Sequence, residues 1–303
     1  MDIIKALEER APGMKVTENV PMKDYTTLRV GGPAKVIAEV RRMEDVRETV
    51  KVCREAGLPV LVLGNGSNML VSDAGFPGVV LLMKNNAFSG ISVWDQVISV
   101  QAGALMSNLA KTACENGLTG LECVSGIPGT VGGGLFMNAG AYGGELGSCV
   151  QSVTVLLENG EMAVYSREEM RFSYRHSRPM EENSVVLGAE FLPERGDREE
   201  IAEKMRELNA RRRDKQPLEY PSAGSFFKRP EGYFAGALIE QCGLKGTRVG
   251  GAAVSEKHAG FLINLGGATA KDFADLSLLV SGRVFDTFGV RLEPEVRFIG
   301  GNE

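Results

Sequence analysis

Two glycine clusters and three isolated polar residues are the parts of this sequence whose types and spacing could do chemistry. Residues 125–144 read SGIPGTVGGGLFMNAGAYGG, with eight glycines in twenty positions. Glycine at this density costs conformational entropy, so a folded chain keeps it where backbone must come very close to something. Successive N–H groups without side chains around them form a concave nest for an anion such as a diphosphate. A second cluster, Gly64, Asn65, Gly66, Ser67 and Asn68, follows the apolar run at 59–63. Two such nests predict a large phosphate-bearing ligand held from two sides.

Neither cluster is a standard nucleotide loop. A dinucleotide fingerprint needs Gly-x-Gly-x-x-Gly opening a helix, but Met69 stands at the last position and the residues after it look extended. A phosphate loop needs Gly-Lys-Ser/Thr, which follows neither cluster. Taken alone, 64–68 also fits a tight Asn-Gly turn; no single turn uses the glycines of 125–144. Ser225, in PSAGSFF, presents a hydroxyl from a tight turn beside an apolar wall. It lacks a nucleophile elbow and a His-Asp pair, and by residue physics it also fits a plain turn serine. Arg175, in FSYRHSR, could clamp a carboxylate or phosphate through its planar fork, or form a surface ion pair. Glu295, in LEPEV, leads into an apolar strand, where its carboxylate is partly buried or else simply exposed.

Composition narrows the partners. The chain has 303 residues, a net charge of −5 and 38 glycines, with a pI near 5.4. This acidity argues against nucleic-acid binding, which needs a basic footprint. No run approaches the ~18 apolar residues of a membrane span, and the first thirteen residues suit an amphipathic helix, not a signal peptide. Cys53, Cys114, Cys123, Cys149 and Cys242 are odd in number and widely spaced, as expected of buried thiols in a reducing cytoplasm. Two histidines, His176 and His258, are little material for a metal centre, so no metal is expected.

Periodicity supplies the framework. Strands are expected at 36–40, 59–63 and 78–83 with a helix over 44–57, giving a β-α-β unit. A second unit follows, with a strand at 97–102, a helix over 105–117 and an antiparallel meander of strands at 151–157, 162–165 and 185–192. A charged helix over 197–214 acts as connector, with Arg211, Arg212, Arg213 and Lys215 complementing its dipole. Helices near 234–242 and 270–288 flank a strand at 259–264 in the last part. The expected division is 1–85, 86–196 and 197–303.

In order along the chain, several segments closely resemble the UDP-N-acetylenolpyruvoylglucosamine reductase family. They are YTTLRVGGPA at 25–34, LGNGSN at 63–68, SGIPGTVGG at 125–133, NAGAYG at 138–143, YRHSR at 174–178, PSAGSFF at 221–227, SEKHAGFLIN at 255–264 and LEPEVR at 292–297. The resemblance implies an α+β chain: a two-subdomain FAD-binding fold of the p-cresol methylhydroxylase/vanillyl-alcohol oxidase type plus a C-terminal α/β substrate-binding domain. It implies non-covalent FAD, since neither histidine falls in an attachment segment. The cofactor residues would be Gly64, Asn65, Gly66, Ser67, Asn68, Gly126, Ile127, Pro128, Gly129, Gly132, Gly133, Asn138, Ala139 and Gly140.

By position in the motifs, Ser225 matches the family's proton donor, and Arg175 and Glu295 match its other two catalytic residues. Tyr174, Lys215, Arg229, Lys257, His258 and Asn264 are the expected substrate contacts. The implied reaction, in cytoplasmic peptidoglycan synthesis, carries hydride from NADPH to flavin N5 and then to C3 of the enolpyruvyl group of UDP-N-acetylglucosamine-enolpyruvate. Ser225 protonates C2, yielding UDP-N-acetylmuramate. The chain length resembles the shorter subtype, without a substrate-covering tyrosine loop. No membrane, nucleic acid or obligate protein partner is expected. An FAD oxidase and a non-catalytic nucleotide-binding module are the rival readings.

Overall fold

A computed structural model describes residues 2–301. The chain forms two compact units: residues 1–18, 36–65 and 78–212 make the first, and 19–35, 66–77 and 213–303 the second. The first unit holds two sheets. One orders its strands Lys15–Pro21, Pro33–Glu39, Phe76–Leu82 and Val60–Leu63, the last two parallel and in register from Val60 opposite Val79. The other runs Met162–Ser166, Val150–Leu156, Val185–Phe191, Val97–Gln101 and Ile91–Trp94, antiparallel throughout. It is not the expected meander. Val150–Leu156 lies between its two successors, pairing antiparallel with Met162–Ser166 along one edge and Val185–Phe191 along the other.

Both sheets feed one continuous apolar core, in which Leu7, Val36 and Leu81 belong to the same cluster as Ile98, Leu187 and Phe191. The expected boundary near residue 85 therefore divides no separate cores. Helix Met43–Ala56 turns Val46, Thr49, Val52 and Cys53 inward at helical spacing. Its start is capped by the Asp45 carboxylate, which accepts from Arg41 N at 2.9 Å and Arg42 N at 3.0 Å. Gly57, at φ +62°, ends it in the left-handed conformation that glycine adopts without steric cost.

The second unit is built on a four-stranded antiparallel sheet, ordered Ser222–Ser225, Phe261–Asn264, Ala252–Val254 and Arg248–Val249. Helices Ala235–Gln241 and Ala270–Phe288 share its core, and the longer one buries Phe273, Leu276, Val280 and Val284. Its first turn is held by a segment nearly two hundred positions away: the Asp73 carboxylate accepts from Ala270 N at 2.8 Å and Lys271 N at 3.0 Å. A carboxylate there also complements the helix dipole. Strand Met69–Val71 pairs in parallel with Arg297–Ile299. These long-range bonds explain why residues 66–77 join the last part of the chain, which a reading of contiguous segments does not anticipate. Among the described residues no helix is long and apolar enough to cross a membrane.

Candidate active site

In the first unit, Gly64 and Asn65 meet the 125–144 segment. Asn65 donates through Nδ2 to Pro128 O at 2.7 Å and accepts at Oδ1 from Lys84 Nζ at 2.5 Å. A methyl group at Gly64 would stand 2.2 Å from Thr130 Oγ1. Thr130 caps the six-residue helix Val131–Phe136, its hydroxyl accepting from Gly133 N at 3.4 Å. Sequence reasoning missed this helix and both Lys84 and Thr130. A threonine three residues before the helix interior was a readable capping signal, whereas nothing in the sequence marked Lys84.

Most of the glycines are explained by protein packing, which corrects the expectation that a ligand demanded them. Added side chains would strike Ala102 at Gly132, Met106 at Gly134, the Gly144 carbonyl at Gly140 and the Tyr25 carbonyl at Gly66. Gly143, at φ +85°, meets nothing within 4 Å, and Gly133 is a second exception. It is exposed, and a methyl there would meet only its own cap, at 3.5 Å.

The amides carry the functional signal instead. The N–H groups of Asn65, Gly66, Ser67, Asn68, Gly126 and Thr130 donate to no acceptor among the described residues. The unfilled donors of the first unit, at Asn65, Gly126 and Thr130, suit the diphosphate of a dinucleotide, so the residues present fit FAD. Ile127 and Gly129 are instead closed by local bonds, Ile127 N to Val124 O and Gly129 N to Ile127 O. Ala139 N likewise donates to Gly134 O at 2.7 Å. Asn138 is fully buried and spent on the fold: Oδ1 accepts from Gly147 N at 3.0 Å and Nδ2 donates to Ser173 O at 3.1 Å.

That last bond supports the turn bearing Arg175. Ser173 and His176 exchange main-chain bonds of 3.2 Å, leaving Tyr174 and Arg175 as the two tip residues. Arg175 sits at φ +56°, where glycine or asparagine is usual. Its Nη2 donates to Gly140 O at 3.2 Å, and its guanidinium lies 4.9 Å from the exposed Tyr174 ring centroid. A strained arginine held over the end of the glycine segment is a pre-positioned cation.

In the second unit, a main-chain bond ties the segment bearing Glu295 to Phe226, the residue after Ser225. Ser225 ends the strand Ser222–Ser225, paired with Phe261, and is exposed. Its neighbour Phe226 donates to Gly260 O at 2.8 Å and accepts from Glu295 N at 2.8 Å. Asn68 Nδ2 donates to Glu295 O at 3.2 Å, so the end of the 64–68 cluster is pinned to the segment bearing Glu295. Thr27 fixes the start of the serine strand, donating to Ser222 O at 2.6 Å.

The expected substrate residues divide by what they touch. Asn264 is buried and structural, donating to Leu28 O and accepting from Gly266 N and Ala268 N. His258 accepts at Nδ1 from Gly260 N at 3.1 Å and packs edge-on against Phe261. Burial, with Lys245 and Lys215 nearby, holds its imidazole below the usual range and therefore neutral. Lys257 donates to Arg213 O at 2.7 Å, and Arg229 lies over the Phe234 ring at 4.0 Å. Lys215 is exposed, and its side chain makes no hydrogen bond or ion pair with a described residue. Burial pushes the Cys53 and Cys123 thiols up to about 12 and about 11, which keeps both protonated and unreactive.

Fold and amides together define an FAD-binding protein. Residues 34–166 match the family described as FAD binding domain, and 216–299 match UDP-N-acetylenolpyruvoylglucosamine reductase, C-terminal domain. A UDP-N-acetylenolpyruvoylglucosamine reductase of Clostridium novyi (strain NT) is 47% identical over 300 residues, covering 99% of this chain and 97% of that protein. The crystal structure of the UDP-N-acetylenolpyruvylglucosamine reductase of Thermus caldophilus matches with a TM-score of 0.78 at 38% identity, covering 95% of this chain and all of that one. A Phl p 4 variant titled a glucose oxidase shares the fold alone, at TM-score 0.51, 14% identity and coverage of 65% and 45%. The chain belongs to the UDP-N-acetylenolpyruvoylglucosamine reductase family and is an FAD-dependent oxidoreductase.

Proposed function

We propose that the chain reduces the enolpyruvyl ether of UDP-N-acetylglucosamine-enolpyruvate to UDP-N-acetylmuramate, a step of peptidoglycan synthesis, with NADPH as reductant. The observation that carries this reading is the Ser225–Phe226–Glu295 ladder: an exposed hydroxyl beside a carboxylate-bearing residue, fixed by the 2.8 Å bond from Glu295 N to Phe226 O. The chemistry that bound FAD supplies is two-electron relay from a nicotinamide donor to the substrate double bond.

Addition of a hydride equivalent at C3 of the enolpyruvyl group leaves an electron pair at C2, delocalised into the adjacent carboxylate. Arg175 is suited to hold that carboxylate, because its fork is planar and its backbone and Nη2 are already fixed. Glu295 serves the same developing charge if its carboxyl holds or shares a proton. Ser225 gives its hydroxyl proton to C2, which completes the CH–CH bond, and regains one from solvent at its exposed site. Serine is a weak acid, yet an enolate-like C2 is a strong enough base to take its proton when the geometry is fixed. Lys215, Arg229 and Lys257 are the cations offered to the UDP diphosphate. His258, neutral, contributes hydrogen bonding and shape rather than charge.

The test separates the two half-reactions by stopped flow. Ser225→Ala should still bleach the flavin when mixed with NADPH, but the reduced enzyme should not be reoxidised by the enolpyruvyl sugar. Reoxidation at the wild-type rate removes Ser225 as the proton donor.

A further inference from the structure

The turn that carries Arg175 is a short hairpin of the first unit. Arg178 N donates to Met170 O at 2.8 Å at its base, and Ser173 and His176 exchange their bonds nearer the tip. Two of its residues, Arg171 at φ +49° and Arg175 at φ +56°, lie in the left-handed region. Such strain persists only where the surroundings over-determine it. Neutral bonds tie the hairpin to the glycine-rich segment: Ser177 Oγ donates to Phe136 O at 2.7 Å, and Asn138 Nδ2 to Ser173 O. Glu181 adds a charged bridge between the two limbs. Its Oε2 lies 2.6 Å from Arg171 Nη2 on one limb, and its Oε1 lies 3.2 Å from Nε2 of His176, the residue after Arg175, on the other.

Glu181 stands on the short helix Arg178–Glu182, and the next residue anchors that helix to the sheet. Glu182 Oε1 accepts from Arg178 Nε at 2.6 Å, and its Oε2 accepts from the Tyr165 hydroxyl at 2.8 Å. The Arg178 guanidinium also lies 3.9 Å from the ring centroid of Tyr165, which is buried on strand Met162–Ser166. The bond from Arg178 holds the Glu182 carboxyl below the usual range, so it stays ionised. An isolated exposed ion pair contributes little, but several charges joined in one network are the exception. Here the contacts run without a break from the sheet to the residue beside Arg175. We propose that Glu181 is a positioning residue: it clasps both limbs of the hairpin, keeps the Arg175 guanidinium aimed, and so governs substrate reduction without touching the substrate. The inference rests on the reading of Arg175 as the group that holds the substrate carboxylate.

The test is a double-mutant cycle on the holoenzyme. Wild type, Glu181→Gln, Arg175→Ala and the double variant are compared by stopped flow, with flavin bleaching by NADPH and reoxidation by saturating enolpyruvyl sugar recorded separately. Glu181→Gln keeps the size of the side chain and removes its charge. It should slow reoxidation by about five- to fiftyfold, within the range of coupling between residues in one network, and leave bleaching and the melting temperature unchanged. Glu181→Asp, which keeps the charge on a shorter stem, should recover part of the rate. In the Arg175→Ala background, Glu181→Gln should change reoxidation by less than about twofold, because nothing is left to position. An equal loss in both backgrounds overturns the proposal, as does a single Glu181→Gln variant within about twofold of wild type. Equal slowing of bleaching and reoxidation overturns it too, since that marks a general loss of structure. If Arg175→Ala alone is reoxidised at the wild-type rate, the catalytic reading of Arg175 falls, and the proposal falls with it whatever Glu181→Gln does.

Discussion

The two units assemble their candidate sites from different materials. The first uses main chain: unfilled amides at Asn65, Gly126 and Thr130, a glycine helix capped by Thr130, and an arginine held at φ +56°. The second hangs side chains on strand register, with Ser225 at a strand end and Glu295 fixed opposite Phe226. A main-chain site is indifferent to side-chain chemistry but intolerant of added atoms. A side-chain site is the reverse: it accepts truncation without loss of fold and loses its chemistry. Substitution should therefore separate stability from turnover in opposite directions in the two units.

The largest effect is expected at Ser225. Loss of a general acid costs about 10²–10⁴ in rate, so Ser225→Ala should slow substrate-driven flavin reoxidation by that factor. Because the residue is exposed at its strand end, the melting temperature should hardly move. A variant that melts early and turns over normally would reverse the comparison. Arg175→Ala should slow the same half-reaction by about 10²–10³, the range for removing one pre-placed electrostatic donor. Arg175→Lys should restore little of it, because a point charge does not reproduce the fork.

The glycines sharpen the contrast at the level of stability. Gly66 sits at φ +60°, and an added methyl would stand 2.1 Å from the Tyr25 carbonyl oxygen. Left-handed strain and overpacking together should cost Gly66→Ala about 2–5 kcal/mol, read by denaturant unfolding. Gly133, in a helix with open space beside it, should behave oppositely. Gly133→Ala should stabilise the flavin-stripped chain by about 0.5–1 kcal/mol through helix propensity, while weakening FAD retention if that open face is where the cofactor lies. Equal losses at the two positions would mean that the glycine helix is as tightly packed as the loop, and the distinction between packing glycines and ligand-facing ones would fail.

Much of this was readable from the sequence, for physical reasons that differ by region. Helix 270–288 was legible to the residue because its capping threonine, apolar spacing and terminal glycine all agree. Strands with continuous apolar runs, such as Val60–Leu63 and Val185–Phe191, were legible for the same reason. Ser222–Ser225 was not: its residues are small and polar, and what makes it a strand is pairing with Phe261–Asn264 some forty residues later. The discontinuous second unit was hidden likewise, since Asp73 capping a helix at Ala270 is a contact between remote segments. For the site, glycine density drew attention to the correct segment through a partly mistaken argument, because packing explains most of those glycines. Asn138 and Asn264 carry the family pattern, yet their side chains are consumed by backbone bonds. Motif position alone does not separate a contact residue from the residue that holds its loop.

The smallest expected effect tests whether the second unit tolerates a charge behind its serine strand. His258 is linked through Gly260 to Phe226: Gly260 N donates to His258 Nδ1, and Gly260 O accepts from Phe226 N. Burial depresses its folded pKa, with Lys245 and Lys215 acting in the same direction and Glu240 against them. The unfolded chain, with an ordinary imidazole near 6.5, therefore takes up the proton first as pH falls. Between the two values the unfolded state binds more protons, so stability rises with pH in that window and is lost on acidification from about pH 7 downward. His258→Asn keeps an acceptor for Gly260 N without a titrating ring. The fall in melting temperature between about pH 7.5 and 5.5 should be shallower in that variant than in wild type. An identical fall would mean that the imidazole accepts its proton in place, and the second unit would then share the first unit's tolerance of a cation at its site.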